Sequence, residues 1–310
     1  MNENQLDEWV RGNAGDAQGV IAELVWRLIA ASSPQPKERR FPLGDSIGQH
    51  GPDGILDVDL AFDPFVPAGR SFWEIGTGLR AGHKATSDYS GLVSALPKSV
   101  RRESTFVFVT PLSGRRDWEH TWKQDAQGAW LEEHRAKGDW RDVRVIDGTK
   151  LIDWTHQFPP VELWLAQRTL GLPVQHLETP EQRWRLVRSI GEPPPLTPRL
   201  FLSGREDACA KLKDVLSGIS VQLKLDTHFP DHVVDFVSAY VADLDAEARA
   251  EAAGRCLIVS GADAWNAMTL QNWPFAGFTR PPLRCRRRPP GSAQFGVRPA
   301  CEGPRRKRFR

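Results

Sequence analysis

Residues Thr105–Val109 read Thr-Phe-Val-Phe-Val, five β-favouring positions in a row with no polar alternation. A strand of that kind needs cover on both faces, which is the position of an interior strand in an α/β sheet. The flanking segments suit such a sheet. Val20, Leu24, Val25 and Leu28 recur at helical spacing and predict a helix over 17–31, closed by Ser32-Ser33-Pro34. Strands are predicted at 40–43, 54–61, 71–75 and 142–146, and helices over 84–95, 149–156 and 160–170, the last starting on proline. Within 54–61, Ile55, Asp57, Asp59 and Ala61 fall on one face and Leu56, Val58 and Leu60 on the other, the pattern of a strand with one buried face. The segment 117–140 holds Trp118, Trp122, Trp130 and Trp140 and has no assigned element. Its rings read as packing groups in preference to a base-stacking surface.

Residues 191–198, Gly-Glu-Pro-Pro-Pro-Leu-Thr-Pro, read as a linker, because prolines interrupt helix and interior strand alike. Beyond it, strands are expected at 200–203, 221–225 and 256–260, and helices over 232–244 and 263–270, a βαβ-type alternation. The expected organisation is an α/β domain over 1–175, a proline-rich linker over 176–199, an incomplete α/β domain over 200–275 and a disordered Arg/Pro-rich tail over 276–310.

The net charge of +2 hides a division. Eleven of the 41 basic residues, against Glu302 alone of the 39 acidic ones, lie in 280–310. That tail carries +10 and the rest of the chain −8, so general basicity does not drive what the front of the protein does. Two readings of the tail stand: a solvated arm that grips phosphates, or the product of a slipped reading frame in a GC-rich gene. The four cysteines, Cys209, Cys256, Cys285 and Cys301, lie far apart without a CxxC, which argues against a zinc site or a disulfide framework. No apolar run nears the roughly 18 residues of a membrane span, and the N-terminus lacks the basic-then-apolar order of a secretory signal. A cytoplasmic protein with no membrane partner is expected.

The chemistry concentrates between Gly51 and Tyr89. Asp53 precedes one strand, and Glu74 stands inside another between Trp73 and Ile75. An acid in such an apolar strand requires a partner, a metal or a raised pKa. Two carboxylates on neighbouring strands can hold Mg²⁺ or Mn²⁺, and Lys84 supplies a nearby cation, as phosphodiester hydrolysis requires. Asp57 and Asp59 share one strand face, so Asp57 stands as an alternative metal ligand. Each residue also has a plain structural reading: Asp53-Gly54 as a turn, Glu74 on a solvated edge, Lys84 as a surface lysine. No GxxxxGK[ST], GxSxG or HExxH occurs, and Phe229-Pro230 argues against a shared helical face for His228 and His232.

The run GPDGILDVDLAFDPFVPAGRSFWEIGTG, then KATSDY, STFVFVTP and DWRDVRVIDGTKLIDWTHQFPPVELWLA, resembles a bacterial group of PD-(D/E)xK, restriction-endonuclease-like nuclease domains over about residues 16–170. Such domains are typically N-terminal effectors of large antiphage proteins, including STAND-type NTPases. The resemblance implies a mixed central sheet flanked by helices, metal-binding carboxylates at Asp53 and Glu74, and a catalytic lysine at Lys84. It also implies a DNA substrate and a homodimer or higher oligomer, one site per strand. The chain departs from the pattern at Gly76, where Glu-x-Lys would place lysine. The expected function is therefore a metal-dependent DNA endonuclease of phage defence. The alternative is a non-catalytic adaptor in which a degenerate nuclease fold binds nucleic acid or a partner.

Overall fold

The structure, a computed structural model, describes residues 1–33, 36–43, 51–114, 122–171, 177–189, 195–217, 223, 225, 229–259 and 276–279. Its contacts divide the chain into two units, Met1–His156 with Arg168–Leu170, and Gln157–Gln167 with Gly171 onward.

The first unit opens with helices α1 (Glu3–Gly12) and α2 (Ala14–Ser32), followed by strands β1 (Glu38–Arg40), β2 (Gly54–Val58) and β3 (Gly69–Ile75). Helices α3 (Ala81–Ala95) and α4 (Lys98–Glu103) lead to β4 (Thr105–Val109), α5 (Gln124–Ala136), β5 (Asp142–Ile146) and α6 (Gly148–Thr155). Helix α7 (Pro159–Leu170) has residues in both units. The five strands form one sheet in the order β1-β2-β3-β4-β5. The pairs β1–β2 and β2–β3 are antiparallel, while β3–β4 and β4–β5 are parallel. This is an α/β unit with a mixed sheet, and its interior strand β4 is buried at every position.

Strand parity sorts the core into two layers. Phe72, Phe106, Phe108, Val143 and Val145 face one side and cluster with Ala81, Ala85, Tyr89 and Leu92 of α3 and with Trp130 of α5. Trp73 points the other way, its ring centroid 6.4 Å from that of Trp154 on α6. Val107 and Val109 share the parity of Trp73 and are also wholly buried. Glu74 has the parity of Phe72, so it faces α3.

Several elements differ from expectation. The strand foreseen at 54–61 stops at Val58; Ile55 and Leu56 are both buried, so both faces are covered, and Leu60 is 83% exposed. The strand foreseen at 40–43 lies at Glu38–Arg40, set by pairing of Arg40 with Ile55. Helix α5 fills most of the unassigned tryptophan-rich segment. Trp122, Trp130 and Trp140 pack with the α3-side core, and Trp118 lies outside the described residues. Helices α1 and α4 were not foreseen.

The second unit contains β6 (Leu177–Glu178), α8 (Pro180–Arg188), α9 (Arg199–Leu202), α10 (Glu206–Leu216), α11 (Pro230–Asp243), α12 (Ala246–Arg255), β7 (Cys256–Val259) and β8 (Ala276–Thr279). Its small sheet runs β6-β7-β8. Part of the segment expected to be linker forms β6 and α8. There Pro180 at the first helical position and the Thr179–Gln182 capping box start a helix, so the proline punctuates without breaking structure. Of residues 200–203, expected as a strand, Leu200–Leu202 belong to the short helix α9 and Ser203 caps it; so short an apolar run is ambiguous between the two states. Ala276–Thr279, assigned to the disordered tail, pair in parallel with β7 instead. The expected strand at 221–225 lies largely, and the expected helix at 263–270 wholly, outside the described residues.

Candidate functional site

The backbone brings the two acids together before any side chain is considered. In the antiparallel register Gly54 stands opposite Trp73. One step further places Asp53 level with Glu74, just past the end of β2. There the Ile75 amide is free of the β2 ladder, and Asp53 Oδ2 accepts a hydrogen bond from it at 2.8 Å. On the neighbouring side Gln18 of α2 donates through Nε2 to the Ile75 carbonyl at 3.2 Å, while its Oε1 accepts from Thr77 Oγ1 at 3.1 Å. The strand end is thus pinned from β2 and from α2.

Glu74 is 7% exposed. Burial, then the nearby Asp53 and Asp88 carboxylates, push its pKa up to about 9, with Lys84 opposing and a hydrogen bond with Asp53 adding to the rise. At neutral pH and without a cation, Glu74 therefore keeps its proton. Two acids held in contact against their repulsion form a site that a divalent cation would relieve.

Lys84 reaches the same place from the second turn of α3. A Cβ at Gly76 would lie 2.7 Å from Phe108 Cζ and 3.1 Å from Lys84 Cγ. The lysine stem and the Phe108 ring already fill the space that a side chain on the strand would need. Lys84 Nζ pairs with Asp88 Oδ1 at 2.6 Å. Half-burial pulls the lysine pKa down, but Asp88, Glu74 and Asp53 outweigh it and raise it overall.

Asp53 and Lys84 bound a cavity of about 470 Å³, lined also by Gln18, Ile75, Gly76, Thr77, Gly78, Arg80, His83 and Ser87; Glu74 is not among the lining residues. The exposed Arg80 and His83 side chains on its rim make no hydrogen bond or ion pair with any described residue. The wall that carries the cation is well braced. Trp130 Nε1 donates to Thr86 Oγ1 at 3.0 Å, Tyr89 donates its hydroxyl proton to Asp139 Oδ2 at 3.2 Å, and a Cβ at Gly82 would meet the Trp122 ring at 3.2 Å. All three contacts fasten α3 on the side that packs against the aromatic core.

Of the residues expected to act, Asp53, Glu74 and Lys84 converge. Asp57 does not join them. It lies four positions further along β2, about 13 Å away at ~3.3 Å per residue, in register with Glu38 and Arg70. Asp88, Gln18, Arg80 and His83 escaped the sequence reading. The Lys-x-x-x-Asp spacing of 84 and 88 was the one available signal for Asp88; Gln18 sits too far along the chain for any spacing to reveal it.

Among the described residues no group of three or more His, Cys, Asp or Glu is arranged to hold a metal ion by itself. Two carboxylates nevertheless suit Mg²⁺, which usually takes one or two from protein and completes its shell with water and phosphate. Among the same residues, no helix is long and apolar enough to cross a membrane. Comparisons of the chain with protein-family models, with curated proteins and with solved structures find no match.

Proposed function

We propose that the first unit is a metal-dependent nuclease that hydrolyses DNA phosphodiester bonds, a restriction-endonuclease-like domain acting as an effector of phage defence. The observation that carries this reading is the cluster of Asp53, Glu74 and Lys84, with Asp53 and Lys84 lining one cavity and Glu74 buried against Asp53 behind that lining. Asp53 and Glu74 would hold Mg²⁺ or Mn²⁺. The ion supplies Lewis-acid polarisation of the scissile phosphate and favours ionisation of a water bound beside it. Asp53, steadied by the Ile75 amide, would offer its carboxylate to the ion. Glu74 would release its proton to solvent on binding the ion. Lys84 offers its ammonium to the charge that develops on the phosphate or orients the attacking water. Arg80 and His83, exposed at the rim and without a polar partner among the described residues, suit phosphates on either side of the scissile one.

The test is nicking of supercoiled plasmid with Mg²⁺ or Mn²⁺ by the wild type, Glu74→Ala and Lys84→Ala. Cleavage is expected in the wild type alone, with a loss of at least about 100-fold in either variant. A linear product formed without a nicked intermediate would indicate paired sites, as in a homodimer.

The −8 balance outside the tail favours a second reading, a non-catalytic adaptor. An adaptor has no reason to bind Mg²⁺ at this place, so calorimetric titration separates the two. Affinity that vanishes in Glu74→Ala supports the nuclease.

A further inference from the structure

The lysine of this site stands on a helix, and a flexible four-carbon stem reaching from there needs something to aim it. Asp88 lies one turn after Lys84 and accepts from its ammonium at 2.6 Å. An ordinary helical ion pair of this spacing is exposed at both ends and contributes little. Here the acid side chain is 11% exposed against 49% for the lysine. Asp88 Oδ2 is buried and has no hydrogen-bond partner among the described residues. Burial and Asp53 raise the Asp88 pKa, and Lys84 acts to lower it. A carboxylate kept in so unfavourable a place, one oxygen spent on a single lysine, is not explained by stability. Nor does it line the cavity, so it acts from behind.

We propose that Asp88 is a positioning residue, which holds the Lys84 ammonium beside the Asp53–Glu74 pair and replaces the aim that a lysine on β3 would receive from the strand. The role in turnover rests on the nuclease reading; the clamp itself does not. Two constraints fix the lysine: its stem lies against Gly76, and its tip is tied to Asp88.

Competitive acetylation with trace acetic anhydride at pH 9, read by mass spectrometry, tests the clamp on the whole chain. In the wild type, Lys84 is expected to react several-fold more slowly than Lys98, an exposed lysine on α4. In Asp88→Asn its rate should rise several-fold, and in Asp88→Glu it should return towards the wild-type value. Lys150, whose ammonium donates to the Val145 carbonyl at 2.8 Å, reports folding and should not change. Equal rates for Lys84 and Lys98 in the wild type would overturn the proposal without recourse to any variant. So would an unchanged Lys84 rate in a folded Asp88→Asn protein. Plasmid cleavage and Mg²⁺ titration run beside the labelling. Asp88→Asn is expected to lower kcat at least 10-fold with Mg²⁺ affinity unchanged, with little further loss in Lys84→Ala/Asp88→Asn. A labelling contrast in a wild type that neither cuts nor binds Mg²⁺ would support the clamp and reject the nuclease.

Discussion

Because the Glu74 carboxyl ionises near pH 9 in the folded chain and near its ordinary 4.5 when unfolded, the folded state holds a proton over that window that the unfolded state has released. Stability contributed by this group is therefore present below about pH 4.5 and drains away as pH rises to 9. In metal-free protein, Glu74→Gln should raise Tm at pH 8 and leave it unchanged at pH 4. Each ~1 kcal/mol relieved is worth about 2–4 °C in a chain of this size. Thermal melts at the two pH values check this, and equal shifts at both would show that Glu74 is not desolvated. Gly76 sits at the other extreme of chemical simplicity, yet it is constrained by its neighbours. Gly76→Ala should cost about 1–3 kcal/mol, the usual range for overpacking, because the wholly buried Phe108 ring has little room to yield. Gly76→Lys should not restore the strand-borne lysine for the same reason; denaturant melts measure both.

Helix α3 is held by a hydrogen bond from Trp130, a hydroxyl bond from Tyr89 and ring contact with Trp122. Trp130→Phe removes the first of these while keeping most of the packing. Cleavage should fall several-fold with Mg²⁺ affinity unchanged, since the acids belong to the strands; plasmid nicking beside calorimetry would show it. The same elements show what the amino-acid order reveals. Strand β4 was legible to the residue from its unbroken β-branched and aromatic run, and strand β5 from the alternation of Asp142 and Arg144 with Val143 and Val145. Asp53, Glu74 and Lys84 were legible as an ordered trio. Helix α5 was not, because its buried residues are Gln127, Trp130 and His134, two of them polar, which conceals the helical period. Asp57 stood in reserve behind Asp53 because it shares a strand face with Asp59, and a shared face says nothing about which end of β2 meets the site. Helix α9 and strand β6 are too short for periodicity to speak at all.

For the molecule as a whole, two units with separate cores predict calorimetric behaviour that is not two-state. Mg²⁺ should raise the melting temperature of one transition and leave the other in place, because all the residues that would bind it belong to the first unit. At an ion concentration about 100 times Kd the stabilisation is about 2.7 kcal/mol, and Glu74→Ala should abolish it. Differential scanning calorimetry with and without Mg²⁺ tests this; a shift of both transitions would place an ion site elsewhere.

The division of the site between a sheet and a helix has a practical result. The acids inherit the stiffness of a hydrogen-bonded ladder, whereas the cation inherits the stiffness of a few side-chain braces. Ion capture and turnover are thus separately adjustable, and substitutions scattered along the α3–α5 seam can slow the chemistry in graded steps while the ion-loaded protein stays assembled. A pattern that demands lysine two residues after the strand glutamate passes over such a design, because here charge is placed by distance in space and not by distance along the chain.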